Sequence, residues 1–243
     1  MTSRTVLITG GAHRIGAAIT RDLHEHGMDV VIHYHQSLAE AEKLAEDLNG
    51  KRSDSAYLVH GDLLDFENYS EIIDQAYGFK NRLDVLINNA SSFFPTPLGQ
   101  ISLQQWQNLI GVNMQAPLFL AQLAADHLTA NKGCIINLTD IHAIRPMKDF
   151  PVYSSAKAGL EMLTRALARE LGSDIRVNGL SLGAVLWPEN MNQEKKDDIL
   201  KQTTLKRRGE LIDVANAIRF LINDADYMTG QILTIDGGRT LYS

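Results

Sequence analysis

The sequence predicts an α/β protein: a single doubly wound parallel sheet with helices on both faces, formed by one domain spanning 1–243. Three observations carry this. Short apolar runs rich in β-branched residues alternate with segments of helical period along the whole chain. The first run ends in a glycine-rich turn that opens into a helix, and no Pro-rich, Gly/Ser-rich or single-charge block divides the chain.

Strands are expected at 6–9, 30–34, 56–59, 85–88, 134–138, 175–180 and 232–235. Helices are expected between them at 15–26, 37–48, 66–77, 118–128, 155–171 and 213–221, where apolar residues recur three and four apart. This order implies right-handed crossovers and a sheet covered on both sides. The longest irregular piece runs from Ser181 to about Glu194. It follows a strand's carboxyl end, where ligands enter such sheets, so a substrate lid is expected around 181–204. Trp187 and Pro188 stand there either to cover a bound ring or to pack on the lid's own base.

The 243 residues are 44% hydrophobic and 21% charged, enough to bury a substantial core. A net charge of −6 argues against a general nucleic-acid or acidic-membrane partner. Lys206-Arg207-Arg208 reads as a solvated hinge beside the lid rather than a nucleic-acid patch. Cys134 is the only cysteine, so no internal disulfide forms, and the first strand follows the N-terminus too closely for a signal peptide. A soluble cytoplasmic protein is expected.

Residues Gly10 to Gly16 read GGAHRIG. Free backbone N–H groups at the positive end of a helix hold a pyrophosphate. Gly10 permits the tight turn, Gly16 lets helix and strand pack closely, and Arg14 adds a cation where the middle glycine of such turns usually stands. After the second strand comes His33-Tyr34-His35-Gln36-Ser37, with no carboxylate to take the ribose hydroxyls. The Tyr34 and Ser37 hydroxyls and the His35 ring can donate to a 2′-phosphate, which favours NADP(H). A His33/His35 metal pair lacks the further ligands that would complete it, so no metal is expected. Asp62 and Leu63 either flank the adenine or, for Asp62, cap the next helix.

Tyr153 and Lys157 lie four apart, on one face of a helix, where an ammonium lowers a phenol's pKa from about 10. Asn88-Asn89-Ala90 ends the fourth strand, Asn113 lies on a following helix, and Asp140 stands thirteen residues before Tyr153. In that order, and with the opening turn, these residues resemble the short-chain dehydrogenase/reductase family over essentially the whole chain. Asp140 departs from the family's serine: an ionised carboxylate only accepts, which suits a substrate bearing N–H groups.

The run Asn88-Asn89-Ala90-Ser91-Ser92-Phe93-Phe94-Pro95-Thr96-Pro97-Leu98 narrows the likeness to the pteridine reductase branch, as do Thr9-Gly10 with Arg14 and His33-Tyr34-His35 with Ser37. The resemblance implies a Rossmann-like fold and a homotetramer packed through the Tyr153 helix and the final strand. It implies NADPH held by Gly10, His13, Arg14, Ile15, Gly16, His33, Tyr34, His35, Ser37, Asp62, Leu63, Asn89, Ala90, Ser91, Tyr153, Lys157 and Gly183. Phe93 then stacks on a pterin, with Arg14, Ser91, Asp140, Tyr153 and Trp187 around it, and Asp140, Tyr153, Lys157 and Asn113 form the catalytic set. Gln36 stands where an arginine commonly meets the 2′-phosphate, and Leu182-Gly183 replaces the usual Pro-Gly. The activity expected is reduction of a dihydrobiopterin, dihydromonapterin or dihydrofolate class substrate. Alternatives are a reductase of a carbonyl such as a 3-oxoacyl thioester, or an NADP(H)-sensing protein without catalysis.

Overall fold

A computed structural model describes residues 3–187 and 191–242. Pro188 lies outside the described residues. Seven parallel strands form one sheet: β1 (Thr5–Ile8), β2 (Asp29–Tyr34), β3 (Ala56–His60), β4 (Val85–Asn88), β5 (Cys134–Asp140), β6 (Arg176–Leu182) and β7 (Ile232–Ile235), in the order β3-β2-β1-β4-β5-β6-β7. The strand order reverses between β1 and β4, and the crevice that opens there at the strands' carboxyl ends is where such sheets take ligands.

Because side chains alternate along a strand, one β1 face carries Val6 and Ile8 and the other Leu7. The first pair joins the apolar layer under α1 (Arg14–Glu25), α2 (Leu38–Lys51) and α8 (Leu211–Asn223), through Ile19, Leu23, Leu44, Leu48, Val214 and Ile218. Leu7 joins Val31, Leu86 and Ile135 under α3 (Asn68–Gly78), α5 (Ala116–Thr129) and α6 (Pro151–Leu171). Each fully buried Leu or Ile contributes about 1.5–3 kcal/mol, so these two layers hold the strand ends that carry the site. Cys134 is buried in the first of them.

Each predicted strand is present within two residues of its expected bounds. Two helices were not foreseen. In α7 (Gln193–Lys201) no residue is buried and no apolar stripe can be read, whereas α4 (Leu103–Ile110) does carry one, Leu103, Trp106, Leu109 and Ile110, a helical signal that was present in the sequence although only Leu109 is buried. Their starts are fixed by caps: Ser102 and Gln105 form a capping box, and Asn192 accepts from the Lys195 N–H at 2.9 Å. Helix α6 begins at Pro151, four residues earlier than the periodicity suggested, because proline's missing N–H costs nothing in a first turn. That places Tyr153 on the helix.

Candidate active site

The glycine turn joins β1 to α1. Gly10 has φ +58°, and a Cβ added to Gly16 would lie 2.1 Å from the Gly10 carbonyl oxygen and 2.8 Å from Asn89 Nδ2. Gly16→Ala therefore forces the turn apart; a loss of about 1–3 kcal/mol and a weakened nucleotide affinity are expected, checked by thermal melts and NADPH titration. Asn89 holds the turn from the next strand: its Nδ2 donates to the Thr9 and Gly10 carbonyls at 2.8 and 3.0 Å, while the Asn89 and Ala90 N–H groups donate to Thr9 Oγ1. The N-cap of α1, His13, makes no side-chain cap bond, and the helix has no acidic residue in its first turn. Helix donors without a side-chain acceptor, beside a cradle that a Cβ would fill, fit a nucleotide pyrophosphate.

Arg14 has φ +51°. Left-handed backbone at a non-glycine residue costs about 1–2 kcal/mol, which explains why a glycine is the usual occupant. Its Nη2 donates to the Trp187 carbonyl at 3.3 Å, joining the turn to the segment that follows β6. Ile15 packs on the core beside it. At the far side Gly183 donates to Ile235 O at 2.9 Å, and a Cβ there would lie 2.7 Å from Asp236 Cα, so glycine is required at this approach.

His33 sits behind the turn rather than on it. Nδ1 accepts the Gly10 N–H at 3.2 Å, which leaves the proton on Nε2, facing Gly61 O at 3.2 Å. Burial lowers its pKa to about 4, so the ring is neutral and braces the loop. Tyr34 ends β2 half-buried, His35 follows it exposed, and Ser37, the α2 N-cap, makes no side-chain cap bond. Asp62 Oδ1 accepts the Leu64 N–H at 2.9 Å in a local turn, and Leu63 is buried in the core. Among the described residues no cluster of metal-ligating side chains occurs.

On the other side of the switch point, Tyr153 Oη donates to Asp140 Oδ2 at 2.8 Å. Asp140 Oδ1 accepts the His142 N–H at 2.8 Å, capping a short turn. Lys157, 3% exposed, donates from Nζ to the Leu138 carbonyl at 2.9 Å, 5.9 Å from the Tyr153 ring centroid. The sequence suggested a lowered phenol pKa. The structure corrects this: burial first, then the Asp140 charge and hydrogen bond, push the Tyr153 pKa up, with the Ser91 hydroxyl pulling weakly the other way. The phenol is a proton donor held by a carboxylate, and the lysine's bond goes to the backbone.

Asn113 lies in a π-helical turn, Gly111–Gln115, between α4 and α5. Its Nδ2 donates to the Leu109 and Ser92 carbonyls, both at 2.9 Å, while Oδ1 accepts from Ser91 Oγ at 2.7 Å. Asn113 thus fixes the loop that presents Phe93. Phe93 stacks on Phe150 at 4.7 Å and 18°, meets Tyr153 edge-on at 4.8 Å, and is 47% exposed. The Phe150 contact was not foreseen from the sequence, nor was Glu161, buried on α6 with Thr139 Oγ1 and Arg165 beside it. Glu161 follows Tyr153 and Lys157 at four-residue steps, a signal that could have revealed it.

A nucleotide cradle and a Tyr/Lys pair across the switch point of a parallel sheet define a dinucleotide-dependent oxidoreductase. The chain belongs to the short-chain dehydrogenase/reductase family: a family model described as "Enoyl-(Acyl carrier protein) reductase" matches residues 10–240. It is similar to Pteridine reductase 1 of Leishmania tarentolae, 35% identical over 99% of this chain and 97% of that protein. It is also similar to Glucose 1-dehydrogenase 2 of Bacillus subtilis, 30% identical over 100% and 96%, and to a 3-oxoacyl-[acyl-carrier-protein] reductase of Staphylococcus epidermidis, 32% identical over 97% and 98%. The likeness to the pteridine reductase branch read from Asp140 and the Phe93 loop holds along the whole chain. Among the described residues no helix is long and apolar enough to cross a membrane.

Proposed function

We propose that the protein is an NADPH-dependent reductase of pterins, of the dihydrobiopterin, dihydromonapterin or dihydrofolate class. The observation that carries this reading is the Asp140 carboxylate on Tyr153 Oη, at the edge of a half-exposed aromatic ring. A flat, nitrogen-rich heterocycle needs a π-face and a hydrogen-bond acceptor together, and Phe93 and Asp140 supply them side by side. Each carboxylate oxygen keeps a second lone pair for a ring N–H or exocyclic amine. A simple ketone has no use for a second acceptor.

Bound NADPH supplies a hydride to a C=N carbon of the substrate. Gly10, His13, Arg14, Ile15 and Gly16 hold its phosphates; Tyr34, His35 and Ser37, with Asp62 nearby, take the adenosine side; Asn89, Ala90, Ser91 and Gly183 line its path. Lys157 orients the nicotinamide ribose. Tyr153 and Asp140 hold the proton that the adjacent ring nitrogen takes up, and Ser91, Arg14 and Trp187 close around the ring. The one domain of 1–243 carries both cofactor and substrate sites, with 181–204 as the lid.

The assay is loss of nicotinamide absorbance with NADPH and each of the three dihydropterins; no oxidation with any of them rejects the activity. A second reading, reduction of a 3-oxoacyl thioester, is favoured by the name of the Staphylococcus relative, and turnover of that substrate alone would establish it. Binding without turnover across both panels would mark a sensor. We also read a cytoplasmic homotetramer, supported by exposed Met162 on α6 and the incompletely covered edge strand β7; sedimentation at the 26.9 kDa protomer mass would reject the tetramer.

Burial pulls the Lys157 pKa down to about 8. The side chain is an ammonium below that pH and an amine above it. The kcat/KM of the reductase, which reports the free enzyme, is therefore expected to fall as pH rises through about 8. A profile flat to high pH would remove the lysine's charge from the reaction.

A further inference from the structure

The carboxyl ends of β2 and β3, to which the proposed function gives the adenosine side of the cofactor, carry no arginine or lysine between 33 and 37 or between 60 and 63. Instead they carry imidazoles. His60 ends β3 directly beside Tyr34 in register, with the two rings 5.3 Å apart. His60 and His35 are both exposed, and their ring centroids lie 6.1 Å apart at 43°. Beneath them His33 is committed to Gly10 and Gly61 and neutral, so it adds no charge. The carboxylate at these strand ends is Asp62, whose Oδ2 lies 3.8 Å from His35 Nε2.

We propose that His60, with His35, reads the cofactor's 2′-phosphate in a proton-dependent way, so that preference for NADP(H) over NAD(H) grows as pH falls from about 8 to about 6. Two imidazoles at this separation can bracket one phosphomonoester. Uncharged, each offers a single neutral N–H; protonated, each becomes a charge-assisted donor on both nitrogens. An imidazolium at His35, 3.8 Å from Asp62 Oδ2, would also offset the repulsion that carboxylate would exert on the phosphate. Phosphomonoesters themselves lose charge near pH 6, which closes the window from below. NAD(H) has no group for this pair to read, so its affinity supplies the internal reference.

The inference rests on the NADPH part of the proposed function and is independent of the pterin. Its test is the ratio of NADH to NADPH dissociation constants, measured by nucleotide fluorescence at pH 6, 7 and 8 for the native protein, His60→Ala, His60→Gln and His35→Gln. The native ratio is expected to rise roughly tenfold from pH 8 to pH 6, as charge-assisted bonds replace neutral ones. Both His60 variants are expected to lose most of that rise while keeping the native NADH affinity. A flat native ratio overturns the proposal, as does a rise undiminished in both His60 variants. If neither nucleotide binds at any pH, the cofactor reading itself fails and takes this one with it.

Discussion

Tyr153→Phe is expected to lower turnover with a dihydropterin by about 10²–10⁴-fold, the usual contribution of a positioned proton donor, while leaving the NADPH dissociation constant within a few-fold of native. The argument is geometric. The ring itself is packed among Leu109, Val152 and Phe150 and meets the edge of Phe93, and phenylalanine keeps every one of those contacts. Only the hydroxyl is removed, and with it the bond to Asp140 Oδ2 and the interaction with the Ser91 hydroxyl. Asp140 keeps its cap on the His142 N–H, so the local backbone has no cause to move. The phenol's raised pKa keeps it protonated across the working range, so its loss is the loss of a donor at every pH. Steady-state kcat and fluorescence titration of NADPH separate the two effects. Unchanged turnover would remove Tyr153 from the chemistry, and a parallel collapse of nucleotide affinity would show that it serves binding.

Much of this site was legible in the sequence because its residues sit at fixed offsets from strand ends. A glycine turn after β1, Asn89 after β4, Asp140 at the end of β5 and the four-residue spacing of Tyr153 and Lys157 each need only local geometry. The electrostatics were not legible. Spacing alone suggested that Lys157 would draw down the phenol's pKa, whereas β5 offers the Leu138 carbonyl to the ammonium and the Asp140 carboxylate to the phenol. Which acceptor each donor finds depends on the β5–α6 packing, and no pattern along one chain encodes that. His33 shows the same limit: two histidines flanking a tyrosine look alike as letters, yet the first lies inside β2 and is buried, while the strand ends at Tyr34 and leaves the second exposed in the bend that follows. Helix α7 escaped because no apolar stripe marks it, while α4 carried one at Leu103, Trp106, Leu109 and Ile110 that was legible.

Asp140→Ser tests the choice of substrate, and its effect is expected to be of opposite sign on two substrates. Pterin turnover should fall about 100-fold or more, since a site built to hydrogen-bond a polar group discriminates far more strongly than an apolar pocket does. Reduction of a ketone or 3-oxoacyl thioester should appear or rise, because a serine hydroxyl can donate to a carbonyl that a carboxylate would repel. The fold should tolerate the change: serine also caps a helical turn, so the His142 N–H keeps an acceptor and the melting temperature should move little. Removing the carboxylate also removes a charge and a hydrogen bond that raise the Tyr153 pKa, which makes the phenol a better acid toward a carbonyl oxygen. Asp140→Asn is the control, keeping the shape and an acceptor oxygen while losing the charge. If Asp140→Ser reduces pterins as fast as the native protein does, the carboxylate does not read the heterocycle, and the substrate must be sought among carbonyl compounds on the same oxidoreductase frame.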